Sequence, residues 1–171
     1  PMYAEPGTVF KYNDGASVLL GKILHEATGK RVDAWAREKL FSPIGIDEFY
    51  WKITPDGEAD TEGGLYLSAH DLARIGYLFL RDGLWDGKRV ISKNWVRRSV
   101  ASIVPPGATG DNSSPYGYGY QWWVPEDGNG SALGFGGFGL GGQRIMVFPD
   151  DDVVVVFQEP IVHAPNSEAA F

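Results

Sequence analysis

No cysteine occurs in the 171 residues, which excludes disulfides, thiol nucleophiles and thiolate metal sites. Histidine is scarce: His25, His70 and His163 lie too far apart to read as a ligand set, and their expected places are helix surfaces and the C-terminal tail. No metal or organic cofactor is implied. Basic residues are outnumbered 15 to 22 by acidic ones, for a formal charge of −7. They are also scattered, with Lys30-Arg31, Lys88-Arg89 and Arg97-Arg98 the adjacent pairs, so nucleic acid finds no basic stripe to bind. No apolar run approaches the roughly 20 residues of a membrane span, and Pro1-Met2-Tyr3-Ala4-Glu5 is no signal peptide. The last absence is chemical. A Ser-x-x-Lys element would set a hydroxyl and an amine on one helix, close enough for the amine to take the hydroxyl proton. The residues three positions beyond the serines are Leu20, Gly45, Asp71, Trp95, Ser102, Pro105, Tyr116, Gly117, Gly134 and Ala170. None is lysine.

With 43% apolar residues the chain can build a core, and its length fits one domain. Its first half reads helical. Ala16, Leu19, Leu20, Ile23, Leu24 and Ala27 recur at helical spacing before Gly29, predicting an amphipathic helix with Asp14 as N-cap. Val32, Trp35, Ala36 and Leu40 predict a short helix ending before Pro43 and Gly45. Residues 51–64 are polar, without apolar period, and predict a surface connection. Ser68 and Asp71 resemble a capping pair for a helix with Leu72, Ile75 and Phe79 on one face, closed by Gly83. Trp85-Asp86-Gly87-Lys88 reads as a tight turn, and Ser92 as the cap of a helix holding Trp95, Val96 and Val100.

After a Pro-, Gly- and Ser-rich loop from Pro105 to Pro115 the period changes to two. Tyr116, Tyr118, Tyr120 and Trp122 alternate with Gly117, Gly119, Gln121 and Trp123, predicting one strand with aromatics on a single face. Residues 144–148 and 153–157 flank Pro149-Asp150-Asp151-Asp152 and predict an antiparallel hairpin. The unbroken valine run 153–156 predicts burial on both faces. Between these lies Gly134-Phe-Gly-Gly-Phe-Gly-Leu-Gly-Gly-Gln143, a glycine-rich bend before an edge strand on its plainest reading.

Several of these segments, in order, resemble one family. Pro6-Gly7-Thr8-x-Phe10-x-Tyr12-Asn13-Asp14-x-x-x-Val18-Leu19-Leu20-Gly21 is similar to the Tyr-x-Asn region of serine hydrolases of the β-lactamase and penicillin-binding-protein superfamily. That superfamily includes class C β-lactamases, related esterases, D-aminopeptidases and 6-aminohexanoate-dimer hydrolase. Leu40-Phe41-x-Pro43-Ile44-Gly45-Ile46, Gly63-Gly64-Leu65-x-Leu67-Ser68-Ala69-x-Asp71-Leu72-Ala73-Arg74, Gly117-Tyr118-Gly119-Tyr120-x-Trp122-Trp123 and Gly141-Gly142-Gln143 follow in the family's order. The resemblance spans residues 5 to 158.

The resemblance implies an α+β fold of the β-lactamase/transpeptidase type, with helices packed on an antiparallel sheet. It also implies that residues 1–171 are the C-terminal portion of one such domain, incomplete because the N-terminal part is absent. The expected activity of the parent protein is hydrolysis of a small-molecule ester, amide or β-lactam through a serine acyl-enzyme, with the chain alone inactive. In this family the tyrosine phenol, here Tyr12, relays the proton to the leaving group beside a lysine that depresses its pKa. Without that lysine Tyr12 is expected to be an ordinary phenol. Asp14 stands where the family has asparagine, and a carboxylate there would oppose an anionic substrate group and could hold a cationic one. The third motif, which edges the oxyanion pocket with a backbone N–H, aligns either with Gly134-Phe135-Gly136 or with Gly139-Leu140-Gly141. The first alignment lacks the cation that helps to hold a β-lactam carboxylate.

Structural readings stand beside the catalytic ones. A tyrosine ahead of a helix buries its ring and leaves its hydroxyl wet, and the aromatic strand could be sheet core. The alternative for the whole chain is a non-catalytic β-lactamase-like binding module that has lost its nucleophile. A half-domain would leave a sheet edge and apolar surface open, so either a companion N-terminal segment or self-association is expected.

Overall fold

The computed structural model describes residues 4–108 and 115–159; the tail histidine, His163, lies outside them. Helix α1 (Asp14–Thr28) ends on Gly29, whose left-handed φ of 67° lets its N–H reach the His25 carbonyl. Helix α2 (Val32–Ala36) does not stop before Pro43. Its winding continues as a π turn over Arg37–Phe41 and a 3-10 turn over Ser42–Ile44, and the left-handed Gly45 ends it. Proline fits because it occupies the first turn of the 3-10 segment, where no helical N–H is needed.

The supposed surface connection has structure of its own. Strands β1 (Tyr50–Trp51) and β2 (Leu65–Tyr66) pair antiparallel, and Ile53 bridges Ala59 between them. Ala59 and Asp60 are buried there. The Asp60 carboxylate accepts from Lys52 Nζ at 3.1 Å and from the Glu62 N–H, and its carbonyl accepts from Trp51 Nε1 at 2.7 Å. A charged residue hydrogen-bonded from both ends can be buried at tolerable cost, which hydrophobic patterning does not reveal.

Helix α3 (Ala69–Leu80) follows the expected cap, with Ser68 Oγ accepting from the Asp71 N–H. It is the hub of the packing. Leu78 and Ile75 join Phe41, Ile44 and Ile46 in one core, while Phe79 and Leu80 cover Val124, Phe135 and Val147 in a second. The ribbon of β3 (Leu84–Trp85) and β4 (Lys88–Arg89) turns at Asp86 and Gly87, both at positive φ. Helix α4 (Lys93–Ser99) is capped by Ser92 as expected.

The sheet runs in the order β5 (Gly117–Tyr118), β6 (Trp123–Val124), β7 (Phe135–Gly139), β8 (Gln143–Phe148) and β9 (Val153–Phe157), antiparallel throughout. Three expectations are corrected here. The aromatic run is a hairpin, because Gln121 at φ 65° reverses the chain between β5 and β6. The glycine segment is largely a strand, held between β6 and β8 with its turn at Leu140–Gly142. Strand β9 is half-buried: Val154 touches α3 beside Gly76, Val153 is 41% exposed, and among the described residues its outer edge has no partner strand.

Candidate active site

Tyr12 stands two residues ahead of α1. The N-cap is Asn13 and not Asp14: Asn13 is extended (φ −153°, ψ 118°) and its Oδ1 accepts from the Ala16 N–H at 3.2 Å. Asp14 is the first helical residue, where its carboxylate faces the positive end of the helix dipole. Gly15 gives the cap its room, since a Cβ there would come 2.9 Å from Asn13 Oδ1. Asn13→Ala is expected to cost about 1 kcal/mol of stability, read as a lower urea midpoint; an unchanged midpoint would show that the cap contributes nothing.

The register of the sheet decides what meets Tyr12. Alternation along the strands puts Phe135, Val147 and Val154 on the face under α3. Tyr118 opposite Trp123, and Trp123 opposite Gly136, share the other face, as does Phe138 two residues on. The Tyr12 ring stacks on Trp123, with centroids 5.5 Å apart and planes 27° from parallel, and meets Tyr118 edge-on at 6.2 Å. Phe10 closes on Tyr118 at 5.0 Å. Tyr12 remains 51% exposed.

This is not an ordinary phenol. Partial burial, with the carboxylates of Asp14 and Glu62, raises its pKa above the usual tyrosine value. Tyr118, more deeply buried beside it, is pushed up to about 12. The environment supplied by these residues therefore works against a phenolate, and a base role requires positive charge from outside them.

The two glycine triplets are placed differently. Gly134-Phe135-Gly136 leads into and begins β7, with Gly136 beside Trp123 and so one strand from Tyr12. Its glycines are also demanded by packing: a Cβ on Gly134 would come 2.4 Å from the Val147 carbonyl oxygen, and on Gly136 2.6 Å from that of Ile145. Gly139-Leu140-Gly141 forms the far end of β7 and its turn, where Leu140 is 63% exposed and Gly141 takes a φ of 74°.

Helix α1 reverses the expectation from its pattern. Its apolar stripe points outward, with Leu19, Leu20 and Ile23 each more than half exposed. The helix is attached by its small and polar side. Gly21 packs against Thr61, leaving no space for a Cβ; Thr61 Oγ1 donates to the Ser17 carbonyl at 2.8 Å; and His25 Nδ1 meets the Glu58 carboxylate at 2.8 and 2.9 Å. Ser17 Oγ also donates to Gln121 Oε1 at 3.2 Å. Sequence reasoning missed Thr61, Gln121 and Asp60, and the available signal for the first was Gly21 itself, a glycine inside an otherwise good helix.

Among the described residues no group of three or more His, Asp or Glu could hold a metal ion, and no helix is long and apolar enough to cross a membrane. An open depression of about 320 Å³ lies along the segment before α1, lined by Glu5, Pro6, Val9, Lys11 and Asn13 among others. It contains neither glycine triplet.

Comparison with known proteins places the chain. The 6-aminohexanoate-dimer hydrolase of Paenarthrobacter ureafaciens is 30% identical over an alignment of 153 residues that covers 86% of this chain and 38% of that protein. The solved structure of a Bacillus anthracis protein described as a 6-aminohexanoate-dimer hydrolase superposes with a TM-score of 0.78 at 29% identity, covering 91% of this chain and 39% of that one. A penicillin-binding-protein homologue from Caulobacter crescentus shares the fold, with a TM-score of 0.70 at 17% identity over 86% of this chain and 52% of its own. The chain thus spans about two fifths of the hydrolases it resembles. The Beta-lactamase family profile matches residues 1–159, and with the helix-on-antiparallel-sheet fold in agreement, the chain belongs to the beta-lactamase family of serine-hydrolase relatives.

Proposed function

We propose that residues 1–171 are the C-terminal portion of a hydrolase domain that cleaves a small-molecule ester or amide through a serine acyl-enzyme. The Ser-x-x-Lys nucleophile is supplied by a segment outside this chain. Tyr12 is the proton relay, and a backbone N–H of Phe135 or Leu140 lines the oxyanion pocket. The observation that carries the reading is the open face of α1: the helix headed by Tyr12 shows Leu19, Leu20 and Ile23 to solvent, as expected of a helix whose covering layer lies elsewhere. The edge of β9, unpartnered among the described residues, supports the same reading. Amides are favoured over β-lactams because position 134, where the first of the two alignments would put a cation, holds glycine, and because the relatives include hydrolases named for a linear amide dimer.

A second reading, a binding module without catalysis, draws on the raised pKa of Tyr12. One experiment separates them. The purified 171-residue chain is expected to give no covalent adduct with a fluorophosphonate, and a chain extended by a segment bearing Ser-x-x-Lys is expected to give one per molecule by intact mass. An adduct on the 171-residue chain, or none on the extended one, would overturn the acyl-enzyme reading.

A further inference from the structure

Gln121 is an exposed, non-glycine residue at φ 65° in the turn between β5 and β6. A residue with a Cβ is strained in this left-handed region, and glycine would occupy it freely. Strain of this kind persists where the surroundings hold the residue and its side chain has a task. Here the side chain is engaged twice. Its Oε1 accepts from Ser17 Oγ at 3.2 Å and from the Tyr118 hydroxyl at 3.3 Å. Ser17 belongs to α1, and its carbonyl is in turn held by Thr61 at 2.8 Å. Tyr118 is buried on the sheet face where its ring meets Tyr12, Phe10 and Trp123. A polar chain of Thr61, Ser17, Gln121 and Tyr118 therefore ties the helix to the aromatic wall on either side of Tyr12.

We propose that Gln121 is a positioning residue for Tyr12: its carboxamide fixes Tyr118 and α1 against one another, and so sets where the Tyr12 ring lies on Trp123. The inference rests on the reading of Tyr12 as the proton relay for its functional meaning, and on geometry alone for its structural content. Both contacts are longer than the roughly 2.5–3.0 Å usual for hydroxyl donors, so it is their convergence on one oxygen that gives the turn its hold.

The test uses Gln121→Gly, which removes the carboxamide and relaxes the backbone together, so that no loss can be assigned to strain. Tyrosine-labelled 171-residue chain is titrated by NMR, and the ring cross-peak between Tyr12 and Tyr118 is followed. The expected result is a melting temperature equal to or above that of the parent chain, a lower Tyr118 midpoint as its acceptor is lost, and weakening of the cross-peak. Gln121→Glu, which keeps an acceptor oxygen, is expected to restore the cross-peak and to hold the Tyr118 midpoint at or above its original value. A glycine variant with midpoint and cross-peak unchanged would reduce Gln121 to a turn residue. Because the measurement reads ring environments and no turnover, an unreactive Tyr12 would not disturb it.

Discussion

Tyr12→Phe, introduced into a chain extended by its Ser-x-x-Lys segment, is expected to slow acylation by about 100- to 10,000-fold, the range for loss of a positioned acid or base. The substitution removes one oxygen and little else. The ring stacks on Trp123 and meets Tyr118 edge-on, contacts that phenylalanine reproduces, and the residue is half exposed. Folding should survive, and the loss should fall on the rate of acyl transfer. The sign of the pKa shift sharpens the expectation. Burial, then Asp14 and Glu62, hold the Tyr12 proton on, so the phenol reaches a useful basicity only beside added positive charge. Pre-steady-state acylation by a chromogenic ester measures the effect. A Tyr12→Phe variant that acylates at the rate of the parent would make Tyr12 a packing residue.

Gly83→Ala is expected to lower stability by about 2 to 5 kcal/mol, at its upper end the whole stability of a marginal domain. Two costs combine. Gly83 sits at φ 83°, where a Cβ is disfavoured by about 1 to 2 kcal/mol. A Cβ there would also stand 2.1 Å from the Ile91 carbonyl oxygen, backbone that can yield only by moving the segment, at about 1 to 3 kcal/mol. That segment is tied down. The Gly83 N–H donates to the Leu78 carbonyl at 2.8 Å, and its own carbonyl receives the N–H groups of Val90 and Ile91 at 2.9 and 3.2 Å. A shift would therefore disturb the end of α3 and the β3–β4 ribbon together. Urea unfolding decides it: a midpoint within experimental error of the parent would show that the loop accommodates the methyl group.

The elements legible in the sequence are those whose ends and faces are both written locally. Ser68 and Ser92 cap α3 and α4 by their own hydroxyls, and the valines of β9 pair across Asp150–Asp152 as a hairpin must. The failures share a different cause. Periodicity shows which residues of α1 lie on one stripe and says nothing of what that stripe faces, so Leu19 and Ile23 read as core while Gly21 and Ser17 are the residues in contact. Gln121 carries no turn signal, because glutamine is not among the residues that favour the left-handed backbone it adopts there. Asp60 is buried against charge expectation through partners its own neighbourhood folds back to supply. At the site, Tyr12 is visible through the motif around it, whereas its contact with Trp123 depends on a sheet register that no local pattern encodes. The placement of the two glycine triplets turns on that same register.

The contrast between the two long helices sets an order of opening. α3 is anchored by apolar side chains in both cores and by Arg81 to Asp152 in the β8–β9 turn, so it is expected among the slower-exchanging segments. α1 is held by a serine, a glycine and a histidine, which places it among the segments that open first. For any surface that covers Leu19, Leu20 and Ile23, association and the ordering of α1 become one event, and part of the gross contact energy is absorbed by ordering entropy. Docking would then be weaker than the buried apolar area suggests.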